Sequence, residues 1–117
     1  MSRIMLAIKS IMAKYKNLPS IIFDEIDTGV SGEISKKMGF IMKDLGEKIQ
    51  TFSITHLPQI AAMGESHFKI YKSDVDGITK TMISRLNEND RIIEIAKMLE
   101  GNNASKSAYT HAKQLLN

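Results

Sequence analysis

The apolar positions of the chain group into segments with alternately helical and strand-like periods. Over residues 2–17, SRIMLAIKSIMAKYKN, Ile4, Ile8, Ile11 and Tyr15 recur at helical spacing and Met5 with Met12 widens the stripe, leaving Lys9, Lys14 and Lys16 toward solvent. Leu18-Pro19 ends that helix. The SIIF run that follows is β-branched at Ile21 and Ile22, which suits a strand covered on both faces, as in a parallel sheet. Thr28-Gly29 and Ser31-Gly32 mark a loop. EISKKMGFIMKDLGEK predicts a second helix with Ile34, Met38, Ile41, Met42 and Leu45 inward and Gly46 as its stop. IQTFSITH predicts a second strand, and LPQIAAMG a short helix with Pro58 in its first turn.

HFKIYKS and TKTMISRL alternate as strands joined through Asp76-Gly77, a hairpin signal. NDRIIEIAKMLEG predicts a helix with Ile92, Ile95, Ala96 and Leu99 on one face and Gly101 as its stop. SAYTHAKQLL predicts a last helix with Ala108, Ala112, Leu115 and Leu116 inward. The order α-β-α-β-α-β-β-α-α predicts an α/β layer structure with a partly parallel sheet flanked by helices.

Composition narrows the class. With 117 residues, 43% hydrophobic and 25% charged, the chain suits one modest soluble domain with a real core. The absence of cysteine excludes disulfides, thiolate metal sites and cysteine nucleophiles. No apolar run approaches the roughly 18 residues of a membrane span, and Lys9 breaks the early apolar run, so a cytoplasmic chain is expected. A formal charge of +3 permits nucleic-acid contact, but the basic residues are scattered and form no tail.

The candidate chemistry lies in LPSIIFDEIDTGVSG, where Asp24, Glu25 and Asp27 crowd the end of an apolar strand. At the carboxyl end of a parallel strand, Asp24 can face the crevice where ligands bind and hold a magnesium ion partly through water. Glu25 points differently and can orient or deprotonate a water attacking a terminal phosphate. A solvated loop after a strand is the plain alternative. His56 ends the second strand, and a strand-helix-strand unit brings it to the same sheet edge. It can hydrogen-bond a terminal phosphate or the attacking water, or simply cap a turn. His67 reads as an exposed strand residue. His111 has no metal-spaced partner, and the methionines read as core fillers.

IIFDEIDTGVSG followed by FSITHLPQIAAMG resembles the C-terminal half of ABC-type ATPase heads of the SMC-like class, in particular its DNA-repair branch. The resemblance covers nearly the whole chain. RLNENDRIIEIAKMLEG and AKQLL are similar to the family's last helices. SRIMLAIK is similar to the helix after the signature motif, with Arg3 matching the basic residue just beyond that motif. It implies that Asp24 is the Walker B magnesium carboxylate, Glu25 the catalytic glutamate and His56 the switch histidine near the γ-phosphate. Asp27, Thr28, Gly29, Val30, Ser31 and Gly32 would form the D-loop, which in the family contacts the opposite head. Gln59 belongs to the histidine motif and is counted with Asp24, Asp27, Ser31 and Gly32 on the nucleotide side, without a chemical role of its own.

The resemblance further implies ATP and Mg2+ as cofactors and a second ATPase head, in a homodimer, as partner. It implies DNA contact through a longer protein, a nucleoid-associated location and a role in double-strand-break repair and recombination. A G-x-x-x-x-G-K-[ST] phosphate cradle, the signature motif and sustained heptads do not occur in the sequence. Residues 1–117 are therefore expected to form the C-terminal lobe of a head that is inactive alone, because phosphoryl transfer rests on positioning and electrostatics. An apolar edge or face in this region is expected to make the piece self-associate or be partly disordered near residues 1–32. Two rival readings stand beside this one. DEID fits the D-E-x-D pattern of helicase-type cores, with SIT loosely similar to their S-A-T motif. Alternatively, Lys36, Lys37, Lys43 and Lys48 form a basic face of a non-catalytic DNA- or protein-binding module, although a solvated helix face explains them as well.

Overall fold

A computed structural model describes residues 2–25 and 27–117, so Met1 and Ile26 lie outside the described residues. Strand β1 (Ser20–Asp24) pairs in parallel with β2 (Gln50–Ile54), from Ser20 opposite Gln50 to Asp24 opposite Ile54. The crossover is helix α2 (Gly32–Gly46), and helix α1 (Ser2–Lys16) precedes the pair. Ile21 and Phe23 point to one face, where they share a core with Leu6 and Ala13 of α1, Met38, Met42 and Leu45 of α2, and Ile60. The opposite face carries Ile22, Phe52 and Ile54, each about half exposed.

That arrangement corrects the expectation of a strand covered on both faces. Among the described residues the parallel sheet has only these two strands, and α1 and α2 both pack on the Ile21–Phe23 side. Ile22 is consequently 57% exposed. An apolar face near the start of the chain, as expected from the sequence, is present.

Helix α1 also turns differently from its predicted stripe. Leu6 and Ala13 face inward, while Ile4, Met5, Ile8, Ile11, Met12 and Tyr15 are exposed. Apolar residues surround most of this helix, so periodicity does not choose the buried side. Lys9 is not free in solvent either. Its ammonium donates to the Ile22 carbonyl at 3.1 Å and lies 5.6 Å from the centre of the Phe23 ring, a cation–π distance. On α2, Ile41 is exposed and the inward face is Ser35, Met38, Gly39, Met42 and Leu45. Gly39 is small for a reason of packing. A Cβ there would lie 3.0 Å from Met63 Cγ and 3.4 Å from the Gln59 carbonyl oxygen.

Helix α3 (Pro58–Ala61) joins two cores, because Ile60 enters the first and the following Ala62 the second. The second core holds Ile95 and Ala96 of α4 (Glu88–Glu100) with Ala108 and Ala112 of α5 (Lys106–Leu116). Both helices start on side-chain caps. Asn87 Oδ1 accepts from the Asp90 amide at 2.8 Å and Ser105 Oγ from the Ala108 amide at 3.3 Å.

Strands β3 (Phe68–Val75) and β4 (Ile78–Arg85) form an antiparallel hairpin. Asp76 and Gly77 both have positive φ, 52° and 73°, which matches the twist that two-residue hairpin loops need. This hairpin does not join β1 and β2, so the described strands make two small sheets and not one mixed sheet. Ion pairing holds it to α4, Lys69 Nζ lying 2.6 Å from Glu94 Oε2. The methionines divide: Met38 and Met42 fill the first core, whereas Met5, Met12 and Met82 are exposed.

Candidate functional site

The parallel register puts the carboxyl ends of β1 and β2 side by side. Asp24 lies opposite Ile54, so Glu25 and the Thr55–His56 pair leave the sheet at one edge. The Glu25 amide extends the ladder by donating to the Ile54 carbonyl at 2.9 Å. Glu25 then takes φ 47°, a left-handed conformation uncommon for a side chain of this kind. It is held there from behind: the Thr28 hydroxyl donates to the Glu25 carbonyl at 2.9 Å and the Thr28 amide does so at 3.4 Å. Strained backbone of this sort clusters at functional sites. Asp24, Glu25 and His56 are exposed at this edge.

Asp27 behaves unlike the other two acids. It is only 1% exposed. Its Oδ2 accepts from the Thr55 hydroxyl, and Thr55 Oγ1 in turn accepts from the Leu57 amide at 3.0 Å. Its Oδ1 is buried without a hydrogen-bond partner. The Val30 amide donates to the Asp27 carbonyl at 3.2 Å and closes the turn around Gly29, which has φ 75°.

Ser31 stands at the N-cap of α2 in extended conformation and does not cap it through its side chain. Its carbonyl accepts from the Ser35 amide at 2.9 Å, and the buried Ser35 hydroxyl donates to the Gly32 carbonyl at 2.9 Å. Gln59 lies near this turn, because a Cβ on Gly32 would meet its Nε2 at 3.9 Å. The structure thus gathers Asp24, Glu25, Asp27, Ser31, Gly32, His56 and Gln59 around one sheet edge, with Asp27 turned inward.

No group of three or more His, Asp or Glu side chains suited to a metal occurs among the described residues. The donor set at the edge fits a hard cation that shares its shell with water and phosphate oxygens, since magnesium takes one or two protein carboxylates in such sites. Lys37 pairs with Glu33 at 3.2 Å one helical turn away, and both are strongly exposed. Lys36, Lys43 and Lys48 are exposed on the same helix or just after it.

Two residues were not singled out by sequence reasoning. Thr55 precedes His56 and shows no sign of its double hydrogen bond. Arg91 of α4 reaches back to the end of α3, where one terminal nitrogen donates to the carbonyls of Ala61 at 3.4 Å, Ala62 at 3.1 Å and Gly64. The Ala61 carbonyl also accepts from the Gly64 amide at 3.4 Å, and a cation suits a helix C-terminus. Burial lowers the Arg91 pKa from its usual value.

His67 was expected to be exposed and is instead half-buried, with Nδ1 out of water and unpaired. Burial, then the Arg91 charge, lowers its pKa below the ordinary 6.5, with Lys69 acting in the same direction and Glu94 opposing. The unfolded chain therefore binds this proton more readily than the folded one. Stability is expected to fall as pH drops below about 6.5 toward the folded-state value. His67→Gln should flatten that part of a urea-denaturation profile. An unchanged slope would show that His67 does not set it.

No helix among the described residues is long and apolar enough to cross a membrane. No family model matches the chain. The fold is that of part of an SMC-type ATPase head. A solved SMC ATPase, studied for ATP-driven dimerization and DNA-stimulated activation, aligns with a TM-score of 0.56 at 25% identity, over 76% of this chain and 50% of that one.

At the level of sequence the likeness is to the DNA repair protein RecN. The chain is 41% identical over 116 residues to RecN of Xylella fastidiosa (strain 9a5c) and of Bacillus subtilis (strain 168), and 39% identical to that of Vibrio cholerae. In each case 99% of this chain is matched, and it spans about one fifth of the relative's length. Almost the whole chain is thus similar to about one fifth of RecN.

Proposed function

We propose that this segment is the C-terminal lobe of an ATPase head and supplies the water-activating and metal-holding side of an ATP site. The observation that carries the reading is the shared edge of β1 and β2, which presents Asp24, Glu25 and His56 together. Asp24 would hold a magnesium ion through one carboxylate, and the ion would neutralise phosphate charge when bound. Glu25, on a fixed backbone, would orient and deprotonate a water. His56 would hydrogen-bond the terminal phosphate or that water. Ser31, Gly32 and Gln59 would border the nucleotide, and the loop from Asp27 to Gly32 would face a second head in a homodimer. The sequence contains no phosphate cradle, so the segment alone is read as inactive. In the longer protein, hydrolysis would serve DNA double-strand-break repair from a cytoplasmic, nucleoid-associated position, as the RecN likeness suggests.

The metal role is testable in a full-length RecN-like protein carrying this segment. Asp24→Asn should raise the Mg2+ concentration giving half-maximal ATP hydrolysis by about tenfold or more, equivalent to ~1.4 kcal/mol. Asp76→Asn, in the hairpin loop, should leave it unchanged. Equal Mg2+ dependence in the Asp24 variant and the parent would remove Asp24 from the metal site. A helicase-type core and a purely basic binding module have no comparable support, since the matches are to RecN and an SMC ATPase.

A further inference from the structure

The acid that the site does not expose has a partner that flanks the histidine. Asp27 sits in the loop after β1, and Thr55 in the loop after β2, 28 positions away. The Thr55 hydroxyl donates to Asp27 Oδ2 while accepting from the Leu57 amide at 3.0 Å. His56 therefore lies between two residues that are both tied, directly or through one hydroxyl, to a single buried carboxylate. Two further backbone bonds make the frame stiff: Glu25 amide to Ile54 carbonyl at 2.9 Å, and Val30 amide to Asp27 carbonyl at 3.2 Å. The first joins the acid loop to β2, and the second fixes the turn that carries Asp27.

We infer that Asp27, acting through Thr55, is a positioning residue that sets the loop of His56 relative to Glu25. The inference deepens the ATPase reading and rests on it for the role of His56. Buried polar atoms are nearly always paired, and the unpaired Oδ1 of Asp27 makes this carboxylate an expensive choice for packing alone. A nonpolar residue would fill the space without an orphaned oxygen. What only an acceptor supplies at this position is a fixed direction for the Thr55 hydroxyl, and through it for the Leu57 amide. The arrangement also links the two loops, so a displacement of the Asp27–Gly32 turn is transmitted to His56.

The first test uses the chain as it is and needs no nucleotide. Amide hydrogen exchange at Leu57 should speed up about tenfold or more in Thr55→Val and in Asp27→Ala. Thr55→Ser, which keeps the hydroxyl, should restore protection. Unchanged Leu57 exchange in both variants would overturn the inference. The second test measures ATP turnover in a full-length RecN-like protein carrying the segment. Thr55→Val should lower kcat about 10- to 100-fold with KM little changed, the scale of a misplacement near 1 Å. In a His56→Ala background the same substitution should add almost nothing. Full additivity with His56→Ala would show that the pair acts on stability and not through the histidine, and would overturn the inference. If His56→Ala leaves turnover intact, it is the ATPase role of His56 that fails, and the exchange result then judges the positioning contact alone.

Discussion

Phe23→Ala should destabilise the chain by about 3–5 kcal/mol, the usual range for truncating a fully buried aromatic ring. Phe23 is 0% exposed and sits where β1 meets both flanking helices, among Leu6, Met38 and Met42. The Lys9 ammonium also lies over its ring. Small domains are stable by only about 5–15 kcal/mol in total, so this one change takes a large share of the folding free energy. Ile22→Ala is the matched control. It removes a large apolar side chain from the adjacent position of the same strand, but from the exposed face, and should change stability by less than about 1 kcal/mol. Urea denaturation read by circular dichroism decides between them. If Ile22→Ala proves as damaging as Phe23→Ala, then β1 is covered on both faces in solution and the one-sided packing described above is wrong.

The contrast between Phe23 and Ile22 shows where sequence reasoning reaches and where it stops. Local signals located the elements well. Asp76-Gly77 fixed the hairpin turn because few residues take positive φ twice in succession. Pro58 opened α3, and Gly101, with φ 90°, stopped α4. Each of these depends on backbone preferences within a few residues. The faces were harder to read. An SIIF run looks the same whether one side or both are covered, and only the number of neighbouring strands decides. Helix α1 is apolar around most of its circumference, so Leu6 and Ala13 could not be distinguished from Ile4 and Ile8 by spacing.

The candidate site was legible as a set and not in its internal arrangement. Parallel strands bring their carboxyl ends to one edge, and that rule alone groups Asp24, Glu25 and His56. Nothing local marks Asp27 as the buried member of three nearby acids. Its burial follows from Thr55, distant in sequence, and from the turn held by the Val30 amide. Arg91 was equally hidden, because its partners are main-chain carbonyls at the end of α3 and carry no residue signature.

Glu25→Gln tests the proposed chemistry most severely. In a full-length RecN-like protein carrying the segment, it should lower ATP turnover by about 10²–10⁴-fold, the range for losing a positioned proton acceptor. That corresponds to roughly 3–5 kcal/mol in the activation barrier. The substitution keeps the size of the side chain and its ability to accept a hydrogen bond, but an amide does not take a proton from water. Folding should be unaffected, because the side chain is exposed and the strained backbone is held by main-chain and Thr28 contacts that glutamine retains. ATP should therefore still bind, and an ATP-bound dimer should accumulate where the unaltered protein turns over. Single-turnover hydrolysis, measured alongside ATP affinity, separates the possible roles. A slow chemical step with unchanged affinity identifies Glu25 as the group acting on water. Turnover within about twofold of the parent would exclude that role. Weakened affinity with an unchanged chemical step would instead move Glu25 to the binding of the nucleotide or its metal, beside Asp24.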